Sequence, residues 1–245
     1  MRNRRVKVIA CEDLSVGYGD LKAVTSINLN VAAGEVVALI GANGVGKTTT
    51  LLTLVGELPP LGGVVLWEGR PTNAPLHVRV RKGLAFIPED KVIVSDLSVQ
   101  DNLKAGSAPE DKALALFPEL TRLLSRKAGL LSGGEKQMLT LATALAREPK
   151  AIIVDELSLG LAPLVAERLA RALRHAADHG LAVLVVEQNL RRVLSLSDRF
   201  YVIRRGSIEL DGSSAAYVNR IEELANLLIP GGPAVIPAET SESED

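Results

Sequence analysis

Hydrophobic and polar positions change their period along the chain, and the earliest clear strand signal is an alternation. Ile27, Leu29 and Val31 alternate with polar residues, which predicts a half-buried strand. Residues 36–40 then form a short continuous apolar run, typical of a strand buried on both faces. The same kinds of pattern predict further strands at residues 64–67, 84–87, 151–154, 182–187, 200–203 and 208–210, the last two forming a hairpin around Gly206.

Helical periodicity separates these strands. It predicts helices at residues 47–58, 164–179 and 215–228, and a mostly helical stretch at 98–147. Two apolar stripes define that stretch, one through Leu114, Phe117, Leu120, Leu123 and Leu124, the other through Met138, Leu141, Ala142 and Leu145 before Pro149. Because strands alternate with helices, we expect an α/β fold with a parallel sheet, interrupted by a helical lobe near 90–148.

Composition narrows the classes of protein. Of 245 residues, 47% are hydrophobic and 23% are charged, which suits a chain that buries a core. The net charge of -1 and 3% aromatic content argue against a strongly basic or base-stacking nucleic-acid binder. Cys11 is the one cysteine, which excludes an internal disulfide framework and a cysteine-rich zinc site. No apolar run reaches membrane-spanning length, and the basic start lacks a secretory pattern.

Residues 41–48 match the phosphate-binding pattern G-x-x-x-x-G-K-[ST] between a predicted buried strand and a predicted helix. In such a loop, glycines let backbone N–H groups turn toward phosphate oxygens at a helix N-terminus. Lys47 would reach the β- and γ-phosphates, and Thr48 would bind Mg²⁺. The alternative is a purely structural glycine-rich turn. The full expected set of contacts is Gly41, Ala42, Asn43, Gly44, Val45, Gly46, Lys47, Thr48 and Thr49.

Two acids end the predicted strand at residues 151–154. In a nucleotide site, Asp155 would bind Mg²⁺ and Glu156 would polarise the attacking water. A carboxylate pair at a strand end is common in other proteins. Its pairing with one upstream phosphate loop makes the interpretation specific.

A third motif, made of Leu131, Ser132, Gly133, Gly134 and Glu135, opens the predicted helix of the second stripe. Ser132 and Glu135 have capping-box spacing, which accounts for them structurally. The two glycines lower helix propensity. They are explained if a polyanion approaches the bare N–H groups of this first turn.

The three motifs GANGVGKT, LSGGE and IIVDE, in that order, resemble the nucleotide-binding subunits of ABC transporters over roughly residues 6–228. The resemblance implies a P-loop NTPase domain at residues 1–229, with an N-terminal antiparallel β layer and the inserted helical subdomain. Residues 230–245 are expected to form a disordered acidic tail. The resemblance also implies a dimer in which each ATP lies between the phosphate loop of one subunit and the LSGGE helix of the other.

The resemblance assigns further roles. Tyr18 is similar to the aromatic residue that stacks on adenine, although a packed strand-end tyrosine is the alternative. Residues 158–161 resemble the loop that joins the two sites across the dimer. Glu89 stands where a glutamine usually links Mg²⁺ to the membrane subunit, and Gln188 stands where a histidine usually contacts the γ-phosphate. We expect Gln188 to donate to the γ-phosphate as well, the alternative being a cap of the following turn.

Residues 14–19, 87–89, 158–163 and 186–189 together resemble the smaller ATPases of branched-chain amino-acid importers. We therefore expect a peripheral subunit on the cytoplasmic face of the membrane that uses ATP and Mg²⁺. Its expected partners are a second ATPase, permease subunits and, indirectly, a solute-binding protein. The alternatives are a urea or amide importer ATPase, a soluble ABC ATPase acting on ribosomes or DNA, and a subunit that binds ATP without hydrolysing it.

Two departures from the family pattern bear on turnover. Leu157 replaces the usual proline after Glu156, and Thr143 replaces an arginine in the LSGGE helix. Elsewhere, His175 and His179 have i, i+4 spacing but no evident third metal ligand, so we interpret them as a solvated helix end. Glu167, Arg168, Arg171 and Arg174 are predicted to form a solvated face of the same helix.

Overall fold

Two β-sheets form the framework of the protein in the computed structural model, which describes residues 6–90, 93–156 and 158–229. The larger sheet has six strands in the order β10-β9-β3-β8-β7-β6, and the smaller has four in the order β2-β1-β4-β5. The strands are β1 (Lys7–Tyr18), β2 (Leu21–Ala32), β3 (Val36–Gly41), β4 (Gly62–Trp67), β5 (Arg70–Pro71), β6 (Leu84–Ile87), β7 (Ala151–Asp155), β8 (Ala182–Val186), β9 (Arg199–Arg204) and β10 (Ser207–Ser213).

The larger sheet is parallel except for β10, which returns antiparallel to β9 as the predicted hairpin. Its strands come from continuous apolar runs, and every residue of β7 and β8 is buried. Asp155 and Leu39 both pair with Val186 of β8, so the carboxyl ends of β3, β7 and β8 lie at one level. The predicted chemical residues therefore meet at one edge of this sheet, where such folds bind ligands.

The smaller sheet is antiparallel and covers one side of the first helix, which confirms the N-terminal β layer that the resemblance implied. One apolar core joins the two sheets: Leu14 and Ile27 of the small sheet share it with Leu39 of β3 and with Leu51 and Leu54 of that helix. This packing fixes the helix, and with it the loop that precedes it, against the edge of the larger sheet.

The helices are α1 (Lys47–Val55), α2 (Leu76–Arg81), α3 (Val99–Ala105), α4 (Glu110–Leu116), α5 (Gly133–Leu145), α6 (Pro163–Asp178), α7 (Leu190–Leu196), α8 (Ser214–Tyr217) and α9 (Ile221–Leu228), with 3₁₀ turns at Pro118–Leu123 and Ala128–Leu130. The elements α3, α4 and α5 and both 3₁₀ turns form the predicted helical lobe, which shares a second core with the larger sheet. No helix in the described parts of the chain is long and apolar enough to cross a membrane.

Several predicted bounds were wrong for identifiable reasons. The helix expected at 47–58 ends at Val55, because Gly56 takes a left-handed φ of 88° and closes its last turn. The stripe from Leu114 to Leu124 is not one helix: α4 ends at Leu116, and Phe117 leaves the helical conformation with φ -133° and ψ 80°, because the following Pro118 disfavours that conformation. The helix expected at 215–228 is two helices, α8 and α9.

The helix α7 was not predicted. Its sequence signal is Asn189, whose side chain accepts a hydrogen bond from the backbone N–H of Arg192 and caps the helix. The predicted acidic tail at 230–245 and the departure at Leu157 lie outside the described residues. Thr143, the other departure, packs its methyl group over Gly106, where a Cβ would lie 2.2 Å from it.

Candidate functional site

The loop at residues 41–46 leaves β3 and ends at the start of α1 with its backbone in left-handed conformations. Gly44 has φ 77° and Gly46 has φ 102°, values that side chains rarely allow. At Gly46 a Cβ would also lie 2.5 Å from Cγ2 of Val24, so glycine is required there by packing as well. Gly46 is the N-cap of α1 and supplies no side-chain cap. The N–H groups of the first turn therefore lack a side-chain acceptor, as expected for an anion site.

Lys47 lies against this loop. Its Nζ atom donates to the carbonyl oxygens of Gly41 and Ala42, both at 2.9 Å, and the side chain is 7% exposed. Burial lowers the pKa of Lys47, and the nearby carboxylates of Glu156 and Asp155 oppose that shift. The charge is thus held at the phosphate loop by carbonyl groups of the loop itself.

Thr48 and Asp155 form an oxygen pair between α1 and the end of β7. The Thr48 hydroxyl donates to Oδ2 of Asp155 at 2.8 Å, and Asp155 is 2% exposed. Burial raises the pKa of Asp155, while the Thr48 hydrogen bond and the charge of Lys47 act in the opposite direction. A hydroxyl and a carboxylate oxygen in contact are ligands that Mg²⁺ prefers, so this donor set fits the ion.

Glu156 follows directly and is held in a strained backbone conformation. Its φ is 50°, and its backbone N–H donates to the carbonyl of Val186 at 3.0 Å. Oε1 accepts a hydrogen bond from Nε2 of Gln188 at 2.5 Å, while Oε2 is buried and accepts no hydrogen bond from the residues that the structure describes. This oxygen is therefore the one that is available to accept a hydrogen bond from water.

Gln188 was expected to face a phosphate, and the structure places its amide on the Glu156 carboxylate instead. The two residues come from the loops after β8 and β7, which are neighbouring strands. The expected γ-phosphate contact stays a prediction, because the Gln188 amide has a second N–H. What the structure adds is a direct link between the two residues at the sheet edge.

The LSGGE motif begins α5 with the predicted capping box. Ser132 Oγ accepts from the backbone N–H of Glu135 at 3.3 Å, and Glu135 Oε2 accepts from the backbone N–H of Ser132 at 2.8 Å. The latter bond is the main cause of the lowered pKa of Glu135. Gly134 has a packing reason that the sequence did not indicate: a Cβ there would lie 2.8 Å from Val165 of α6. For Gly133, which is exposed, the approach of an anion to the helix N-terminus remains the explanation.

The remaining predicted residues lie at the surface. Tyr18 ends β1 and is 58% exposed, which disfavours the alternative of a packed strand-end tyrosine. Glu89 is exposed shortly after β6, and within the described ranges it forms no hydrogen bond with Thr48 or Asp155. Its proposed role toward Mg²⁺ therefore rests on the resemblance.

Sequence reasoning missed Glu187. This residue lies between the buried strand β8 and Gln188, and its side chain is 10% exposed. Its Oε2 atom accepts a hydrogen bond from Ser158 Oγ at 2.5 Å. An acid directly after a buried strand was a signal, because such a side chain needs partners where it is buried.

The charged face of α6 is less solvated than predicted. The Arg168 guanidinium lies 4.6 Å from the ring centre of Phe117 and binds Glu119 of the helical lobe. Arg174 binds Asp178 and Asp198. The rings of His175 and His179 are 4.3 Å apart, and the described residues contain no cluster that could hold a metal ion through them.

Comparison with known proteins gives a consistent result. A family model described as ABC transporter matches residues 24–158. The chain is 36% identical over 219 residues to the high-affinity branched-chain amino acid transport ATP-binding protein BraG of Pseudomonas aeruginosa, covering 85% of this chain and 94% of BraG. It is 33% identical to the lipopolysaccharide export ATP-binding protein LptB of Escherichia coli, covering 84% and 90%. A nucleotide-free ATP-binding cassette from an ABC transporter superposes with a TM-score of 0.82 at 25% identity, covering 91% and 99%.

Proposed function

The chain belongs to the ATP-binding proteins of ABC transporters and is an ATPase, and we propose that it drives import of branched-chain amino acids. The observation that supports its chemistry is the group of Lys47, Thr48, Asp155 and Glu156 at one edge of the larger sheet. The observation that supports the substrate class is the identity with BraG and with LivF of Archaeoglobus fulgidus, each 36%.

ATP would bind with its phosphates in the loop at residues 41–49. The N–H groups at the start of α1 donate to phosphate oxygens, and Lys47 exchanges its two carbonyl partners for the β- and γ-phosphates. Tyr18 is exposed at the end of β1 and would stack on the adenine ring. Burial lowers the pKa of Lys47, and the Glu156 and Asp155 carboxylates oppose that shift by favouring the protonated form that this role needs.

Mg²⁺, when bound, neutralises charge on the transferred phosphoryl group. Thr48 and Asp155 would hold it through the two oxygens that contact each other in the structure. Glu89 is a further candidate ligand. Binding of the cation would also stabilise the ionised form of Asp155, whose pKa burial raises.

Hydrolysis would proceed by in-line attack of water on the γ-phosphorus, with ADP as the leaving group. Glu156 has one carboxylate oxygen fixed by Gln188 and one that has no partner among the described residues. The partnerless oxygen would accept a hydrogen bond from the water and orient its lone pair toward phosphorus. Gln188 would hold the carboxylate and offer its second N–H to the γ-phosphate.

Assembly would complete the site. We propose a dimer of ATPase subunits, the same or different, in which the motif 131–135 of one subunit contacts the nucleotide of the other. Ser132 and Gly133 are exposed at the start of α5, so they are accessible to such a nucleotide. The dimer would lie on the cytoplasmic face of the membrane against permease subunits, which receive the solute from a solute-binding protein.

The second candidate is lipopolysaccharide export, because LptB is 33% identical over 217 residues. The test is reconstitution of the ATPase with its own permease subunits in lipid vesicles. The import proposal predicts ATP hydrolysis that rises when a leucine-loaded receptor is added and uptake of labelled leucine, both lost in Glu156→Gln and retained in the exposed-site control Glu167→Gln. Stimulation by lipopolysaccharide alone would instead support export and contradict the import proposal.

A further inference from the structure

A second hydrogen-bonded link joins the two loops that carry Gln188 and Glu156. Glu187 directly follows β8, and its Oε2 accepts a hydrogen bond from the hydroxyl of Ser158 at 2.5 Å. Ser158 follows Glu156 in the loop after β7 and is 6% exposed. The pairs 188–156 and 187–158 therefore fasten the same two loops twice.

The other oxygen of Glu187 organises its own loop. Oε1 accepts from the backbone N–H of Gln188 at 3.1 Å and from that of Asn189 at 3.3 Å. These bonds fix the direction of the backbone from which the Gln188 side chain leaves. Both oxygens of Glu187 thus accept hydrogen bonds from within the protein.

Arg192 of α7 completes the group. Its Nη1 atom donates to the Ser158 hydroxyl and lies 4.0 Å from Oε1 of Glu187. The Ser158 hydroxyl can accept a hydrogen bond from Arg192 and donate one to Glu187 at the same time. The three side chains therefore form a chain of hydrogen bonds that runs from Arg192 to Glu187. The buried charge of Glu187 is compensated by this arginine.

We propose that Glu187 is a positioning residue for ATP hydrolysis. It holds Gln188 in reach of Glu156 and bonds the loop of Gln188 to Ser158. This inference rests on the proposed roles of Gln188 and Glu156. Glu187 acts on kcat through Gln188, since its carboxylate is bonded to Ser158 and to the backbone N–H groups of Gln188 and Asn189. Ser158 also begins the loop 158–161, so its bond to Glu187 joins that loop to the hydrolysis site.

The alternative is that Glu187 only stabilises the start of α7. A structural role would lower the melting temperature and leave the rate of the folded enzyme unchanged. A positioning role would lower kcat, leave ATP affinity unchanged and depend on Gln188. These readouts separate the two roles.

The experiment measures single-turnover hydrolysis and the Kd of a fluorescent ATP analogue in the assembled transporter. The variants are Glu187→Gln, Ser158→Ala, Gln188→Ala and the double variant of Glu187→Gln with Gln188→Ala. Glu167→Gln makes the same change at an exposed glutamate of α6 and is the control. Ser158→Ala removes the bond from its other end and keeps the test informative if Glu187→Gln fails to fold.

We expect Glu187→Gln and Ser158→Ala each to lower the hydrolysis rate by about tenfold with an unchanged Kd. The double variant should be no slower than Gln188→Ala, because both changes disable the same contact. Rates within about twofold of wild type in both single variants, or a double variant whose losses multiply, would overturn the proposal. Absence of hydrolysis in the wild-type complex would instead count against the proposed function.

Discussion

The hydrogen bond from Gln188 to Glu156 leads to a quantitative prediction about Gln188→Ala. The substitution removes the amide that donates to Oε1 at 2.5 Å, which is the hydrogen bond that holds the Glu156 carboxylate among the described residues. A hydrogen bond to a charged group contributes about 1.5–3 kcal/mol, which corresponds to about 10- to 150-fold in rate. We expect this loss in kcat, because the observed partner of Gln188 is the proposed water-orienting residue.

Two further variants of Gln188 test the donor specifically. Gln188→His restores a ring N–H and should keep substantial activity, whereas Gln188→Glu is isosteric but places a carboxylate beside Glu156 and should be at least as slow as Gln188→Ala. Arg191→Gln, at an exposed position of α7, is the control. The assay is single-turnover hydrolysis with labelled ATP in the assembled complex, alongside nucleotide Kd. Wild-type kcat in Gln188→Ala, or a loss confined to Kd, would show that the bond from Gln188 to Glu156 does not support hydrolysis.

Three further predictions concern the phosphate loop and Asp155, which with Thr48 would hold Mg²⁺. Lys47→Ala should raise the Kd for ATP by about tenfold or more in a nucleotide-binding titration, because a charge-assisted phosphate contact is lost, and an unchanged Kd would remove this lysine from the site. Asp155→Asn should raise the melting temperature of the nucleotide-free protein at neutral pH by about 2–4 °C, because a charge disfavoured by burial is removed, while stabilisation by MgATP disappears. Because burial raises the pKa of Asp155, the wild-type protein is relatively more stable below the pKa that Asp155 has in the unfolded chain, and it loses that stability as pH rises through the folded-state pKa. The difference in melting temperature between Asp155→Asn and wild type should therefore shrink in acid. A difference that grows in acid would contradict this explanation. Gly46→Ala should destabilise the protein in chemical unfolding by about 2–4 kcal/mol and Gly44→Ala by about 1 kcal/mol, because only the former adds a clash with Val24 to backbone strain, and equal losses would count against the packing argument.

The sequence predicted those parts of the fold and site that depend on local pattern. Buried runs such as β7 and β8 have no alternative to a covered sheet, and the glycine spacing at residues 41–46 requires a turn that opens a helix. The capping box of Ser132 and Glu135 was predicted from spacing and is present. Local sequence rules suffice where the interacting groups lie within a few residues of each other.

The missed features depend on contacts between distant segments. The amide of Gln188 meets Glu156 only because β7 and β8 are neighbours, and the packing need of Gly134 depends on Val165 of another helix. Neither is written in the residues on either side of the position. The end of α4 is different, because Pro118 is a local signal for it, whereas the apolar stripe continues past the end of the helix.

The proposal that Glu156 directs the attacking water is tested most directly by the fate of ATP in Glu156→Gln. We expect the wild-type complex to release inorganic phosphate from MgATP, whereas Glu156→Gln should bind MgATP with similar affinity, hydrolyse it at least about a hundredfold more slowly and accumulate as a closed dimer with intact ATP. Acid-quench chromatography of the bound nucleotide, with light scattering for the dimer, measures both. Hydrolysis by Glu156→Gln at the wild-type rate would contradict this proposal, because the Glu156 carboxylate would then not be the group that directs the water.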